Sequence, residues 1–173
     1  MSEPQNDFGL LLSATVDIGT RLDSASKAMR QPKPLDQGHR VFGSGTVPAS
    51  GQNPFLLVPQ SEPAGPASGM VWNVRAVKVT GTIDAHTPVT GTPEFYCGPP
   101  PTENLNAITP NFLDWIVSGA AIPFTTDLSR HVYWAKPSDM PYALIWGASP
   151  GTVLFFEAIV EVWRVEDVLR MTI

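Results

Sequence analysis

The chain has 173 residues, a formal net charge of −5, 16% charged and 43% hydrophobic residues, and a mean hydropathy of zero. That length fits one domain plus an appendage and argues against repeat arrays and multidomain enzymes. With 14 Gly, 18 Pro and fewer charges than the roughly 25% usual for soluble domains, short strands, turns and extended arms are expected rather than a helical globule.

The acidic excess lies after residue 40, where six Lys and Arg stand against eleven Asp and Glu; before it the count is five against five. No basic stripe is present to neutralise phosphates, so no nucleic-acid partner is expected. Cys97 is the single cysteine and has no partner for an internal disulfide. No secretory leader pattern is visible, and no apolar run approaches the roughly 20 residues that cross a bilayer, so no membrane partner is expected. The expectation is a soluble chain made inside the cell, which a virion assembled in the cytoplasm also satisfies.

Residues 8–30 read as the one substantial helix, opened by Asp7 and closed by Pro32 and Pro34. Phe8, Leu11, Thr15, Ile18, Leu22, Ala25 and Met29 recur at alternating intervals of three and four, a short heptad seam with Asp17, Arg21, Asp23, Lys27 and Arg30 off it. Gly9 and Gly19 each cost about 1 kcal/mol of helix propensity, so this helix needs a partner. It either packs on its own domain or a neighbour, or self-associates, with Leu11, Thr15, Ile18, Leu22, Ala25 and Met29 as the oligomerisation residues.

Residues 35–69 hold repeated Pro, Gly and Ser and read as an extended arm, with two stretches, Arg40 to Val47 and Phe55 to Val58, that suit edge strands. From Met70 onward short strands alternate with turns. Trp72 and Val74 share one phase while Val77 and Val79 share the other, which predicts a bulge near Arg75 and Ala76. Further strands are expected at Glu94 to Cys97, Trp115 to Val117, His131 to Trp134, Ala143 to Trp146 and Thr152 to Arg164. In the last, Leu154, Phe156, Ala158, Val160 and Val162 face one side. Phe155, Glu157, Ile159, Glu161 and Trp163 face the other. The fold expected is therefore mainly β: an antiparallel, jelly-roll-like β-sandwich over 70–173, an N-terminal helix within 1–34 and a Pro-rich arm over 35–69.

Few residues suggest chemistry. Gly147-Ala148-Ser149-Pro150-Gly151 matches the G-x-S-x-G nucleophile elbow, but Pro150 has no N–H for an oxyanion hole and the chain continues as a strand. The motif is expected to be a hairpin turn. His39, His86 and His131 lack metal-ligand spacing, so no metal or other cofactor is expected. Asp127, Asp139 and Glu157 could converge as an acid set, yet sixteen scattered carboxylates yield such triplets by chance. Of the five tryptophans, Trp72 and Trp146 are expected in the core. Trp163, sharing a face with Glu157 and Glu161, suits an interface or, with Trp134, a sugar platform.

The run Pro63-Ala64-Gly65-Pro66 followed by Gly69-Met70-Val71-Trp72-Asn73-Val74-Arg75-Ala76-Val77-Lys78-Val79, with the late Leu144-Ile145-Trp146-Gly147 and Gly151-Thr152-Val153, resembles small virion structural proteins of tailed phages infecting actinobacteria. The resemblance implies a short N-terminal helix, a β-sandwich and a place in the particle as head decoration, fibre or tail and neck appendage. It supplies no catalytic residues. The partners implied are further copies, as a homotrimer by analogy with fibre proteins, and the major capsid protein or other virion proteins. The sandwich interface is expected at Phe155, Ile159 and Trp163. A competing expectation is a carbohydrate-binding module that takes a host surface glycan on exposed tryptophans.

Overall fold

The alternation between Thr152 and Arg164 becomes β9 (Val153–Arg164), and the rest of the sheet is arranged around it. In this computed structural model residues 32–84, 87–99 and 115–171 are described, together with Arg21, which is helical. The helix expected over 8–30 otherwise lies outside the described residues.

β9 pairs antiparallel with β1 (Asp36–Thr46) on one side and β3 (Met70–Thr82) on the other. β3 continues to β6 (Phe124–Asp127) and to the two-residue β7 (Trp134–Ala135). The second sheet runs β2 (Phe55–Leu57), β8 (Met140–Trp146), β4 (Thr92–Gly98) and β5 (Trp115–Ser118), also antiparallel. The orders are therefore β1-β9-β3-β6 and β2-β8-β4-β5. The molecule is mainly β, in two antiparallel sheets.

The inner faces meet in one core. Val41, Trp72, Val74, Val77, Val79, Leu154, Phe156, Ala158 and Val160 come from the first sheet, and Leu57, Phe95, Ala143 and Ile145 from the second. Phe95 bridges the layers, its ring 5.6 Å from that of Phe124 and 6.1 Å from that of Phe156. The expected bulge is present: Val74 pairs with Val160 and Ala76 with Ile159, leaving Arg75 unopposed. That extra residue lets Trp72 and Val74 before it and Val77 and Val79 after it all reach the core.

The segment 35–69 contributes the outermost paired strand of each sheet, β1 and β2, so both stretches expected as edge strands are edges. Three details differ from the sequence reading. The turn at 147–151 is not a hairpin, because β8 and β9 belong to different sheets; Gly147 (φ 68°) and Gly151 (φ 81°) take left-handed backbone in that crossover, which explains both glycines of the motif. His131 to Trp134 is mostly irregular: His131 N–H closes the preceding turn by donating to the Leu128 carbonyl, and strand pairing with β3 begins at Trp134. Last, β9 runs directly into a helix, α1 (Val165–Met171), whose first turn carries Glu166 and Asp167 and whose last carries Arg170, matching the helix dipole.

Candidate functional site

The outer face of the β1-β9-β3-β6 sheet is where the described residues put exposed apolar and charged side chains together. Strand register fixes the rows. Arg40, Ile159, Ala76 and Asp127 lie across the four strands; the next row is Phe42, Glu157, Lys78 and Thr125, and the next is Ser44, Phe155 and Thr80. Phe42 and Phe155 are 58% and 46% exposed, high values for phenylalanine, and they sit diagonally on adjacent strands. A groove of about 500 Å³ runs beside them, lined among others by Arg40, Gln60, Lys78 and Glu157.

The charges on this face balance. Arg40 bonds Glu157 at 3.1 Å and Arg75 bonds Glu161 at 3.3 Å, while Lys78 and Asp127 complete three positive and three negative groups. Glu161 also accepts from Asn73 Nδ2 at 3.3 Å and from the Trp163 indole N–H at 3.2 Å. Asp127 accepts from the backbone N–H and hydroxyl of Ser129. These bonds, with Arg75 and Arg130 nearby, hold its carboxyl below the usual range. A neutral, partly apolar face on a chain of net charge −5 is suited to contact with a second copy, since like charges do not meet there.

The three interface residues read from the sequence all project from this face of β9. Phe155 is exposed, whereas Ile159 and Trp163 are half-buried. Trp163 packs edge-on against Trp134, ring centroids 6.2 Å apart, so each ring covers part of the other. Trp72 is buried as expected; Trp146 is half-buried and donates its indole N–H to Glu94 at 2.8 Å. The seam residues Leu11, Thr15, Ile18, Leu22, Ala25 and Met29 lie outside the described residues. Phe42 was missed by the sequence reading, although the signal was there: Val41, Gly43 and Gly45 alternate with Arg40, Phe42 and Ser44, and only one set can face the core.

The residues weighed for chemistry occupy separate structural posts. Ser149 Oγ lies 2.9 Å from Thr90 Oγ1 in the crossover turn. Asp139 is buried and accepts the Lys136 N–H at 3.1 Å. Glu157 is ion-paired on the sheet face, and Asp127 closes the Ser129 turn. His39 packs its ring 5.2 Å from Trp72, His131 lies 5.9 Å from Tyr133, and Cys97 is buried. His86 lies outside the described residues. Among the described residues no group of three or more His, Cys, Asp or Glu could hold a metal ion, and no helix is long and apolar enough to cross a membrane.

No family model matches the chain, and no curated protein matches it. Among solved structures it is similar to IMPa from Pseudomonas aeruginosa, determined in complex with an O-glycopeptide. Identity is 14%, covering 77% of this chain and 14% of that one, with a TM-score of 0.26. The chain thus spans about a seventh of that protein's length, and a likeness at this level does not bear on fold or function.

Proposed function

We propose that this chain is a non-enzymatic structural subunit of a tailed-phage virion, decorating or stabilising the capsid surface. The observation that carries the reading is the strand order. With the short β7 set aside, β1-β9-β3-β6 and β2-β8-β4-β5 is the order of an eight-stranded jelly roll, a winding used by viral capsid and lectin domains. Fold alone does not choose between those uses. The outer sheet face favours assembly, because exposed phenylalanines are interleaved there with ion pairs of balanced charge, a mixture suited to a protein contact. The sequence resemblance to small virion proteins points the same way.

In this reading Phe42, Phe155 and Ile159 contact a neighbouring copy in a homotrimer, and the particle's major capsid protein supplies the second contact. Mass spectrometry of purified particles of the phage that encodes the chain tests the proposal. The expected result is the protein present in the particle; its absence where other minor proteins are detected overturns it. Titration of tryptophan fluorescence with host cell-wall polysaccharide tests the lectin use of the same winding. A saturable response lost in Trp163→Ala would replace the assembly reading.

A further inference from the structure

We infer that α1 is the docking surface for residues 8–30 of the same chain. α1 has seven residues and none of them is buried. Leu169 and Met171 are 61% and 47% exposed. A helix this short is marginal in water without a partner. Its start is tied down by one hydrogen bond, from Val165 N–H to the Gly69 carbonyl at 3.0 Å, and an open apolar depression of about 400 Å³ lies between Met70, Val165 and Leu169. Leu35, also exposed, is at the same end of the sheet: its N–H donates to the Val162 carbonyl at 2.7 Å, three residues before α1 begins.

What covers this patch follows from what enters beside it. The segment 8–30 carries an apolar seam that needs a partner, and it joins the sandwich through Pro32 to Leu35. Four residues separate Arg30 from Leu35, so the five chain steps make a tether of at most about 18 Å even when fully extended. A tether that short keeps the segment near α1 at high effective concentration, which favours docking within one chain over docking between chains. Charge agrees: Lys27 and Arg30 end the segment and Lys33 lies in the tether, while α1 opens with Glu166, which also pairs with Arg164 at 3.8 Å, and Asp167. The seam is thereby assigned to the chain's own C-terminal helix rather than to a bundle of helices from three copies. The assignment does not depend on the virion reading.

Peptide-resolved hydrogen exchange on the full chain tests it. Residues 8–30 should be protected in the wild type, equally at all protein concentrations, and the double variant Leu169→Asp/Met171→Asp should speed their exchange at least tenfold while leaving β3 and β9 unchanged. No protection in the wild type, protection that survives the double variant, or protection that fades on dilution overturns the inference. Should the double variant also loosen the sandwich, the reciprocal variant Leu22→Asp/Met29→Asp decides. Faster exchange across 165–171 upholds the docking, and unchanged exchange there overturns it.

Discussion

On the β2-β8-β4-β5 sheet the outward residues Tyr96, Tyr142 and Leu144 are 2%, 3% and 0% exposed, whereas on the β1-β9-β3-β6 sheet Phe42 and Phe155 stand largely open. Both sheets send their other face into one core, so the contrast lies in what each sheet does on its far side. Tyr96 and Tyr142 are cross-strand partners with stacked rings 5.3 Å apart, and Leu144 pairs with Leu56 beside them. The second sheet is thus covered on both faces, with Glu94 on its far side bonded by Tyr96 and Trp146. The first keeps a face of mixed character that contributes little to folding and is available for contact.

The largest expected effect follows from this contrast. Leu144→Ala removes a side chain packed on the sealed face and is expected to lower unfolding stability by about 2–5 kcal/mol. Phe155→Ala, a larger truncation on the open face, should cost less than about 0.5 kcal/mol. Urea denaturation of the two variants checks the pair; equal losses would erase the distinction between the faces.

A second difference concerns the edges. Val58 to Ser61 straps across the outer edge of β1: the N–H groups of Gln60 and Ser61 both donate to the Phe42 carbonyl at 2.8 and 3.2 Å, and Gln60 Nε2 donates to the Ser44 carbonyl at 2.7 Å. The strap blocks strand addition there, so further copies would meet the face and not this edge. Gly43 makes the close crossing possible, since a Cβ on it would run into the Val58 carbonyl. Gly43→Ala is expected to cost about 1–3 kcal/mol by overpacking and to raise aggregation as the edge is uncovered. Thermal melts with light scattering measure both effects.

How much of this was legible in the sequence tracks burial. Where one face is open, as in β9, apolar and polar residues alternate and both faces were read correctly; the Arg75 bulge was read the same way, from a phase change between Val74 and Val77. Where both faces are buried, as in Pro141 to Ile145, alternation vanishes, and nothing told which side of the strand met the core. β6 was missed because Phe124-Thr125-Thr126-Asp127 holds one large apolar residue and is a strand only by pairing with β3. Which strands share a sheet is a long-range fact, and for that reason the turn at Ser149 was mistaken for a hairpin. The site was half legible. That Phe155, Ile159 and Trp163 share one face of β9 was legible from that strand's pattern, but Phe42 and Arg40 join them only through the β1–β9 register.

The sealed face also has an alkaline pH signature, whereas the shifted group on the open face, Asp127, is lowered and acts on the acid side. Burial, the hydrogen bond from the Tyr96 hydroxyl to Glu94 at 2.9 Å and the nearby negative charge all raise the Tyr96 phenol above its ordinary value of 10.0. The folded state therefore holds this proton after the unfolded chain has released it. The stabilisation is complete below about pH 10 and is lost as pH rises toward the folded value, at up to about 1.4 kcal/mol per pH unit. Denaturation curves between pH 9 and pH 11 should show that decline in the wild type, and Tyr96→Phe should remove it.

The smallest effect on stability is expected at the open face, where the functional effect should be largest. Phe42→Ser and Phe155→Ser replace exposed rings, so each should shift unfolding by no more than about 0.5 kcal/mol. If the face is a contact between copies, the same substitutions remove its exposed rings and leave half-buried Ile159 with the pairs Arg40–Glu157 and Arg75–Glu161. Both pairs already form within one copy, so they would not hold an oligomer without the rings. Sedimentation of the wild type and the Phe42→Ser/Phe155→Ser double variant, both with unchanged melting curves, should show association in the first and its loss in the second. Association that survives the loss of both rings would move the interface elsewhere on the molecule and leave this face without the role argued for it.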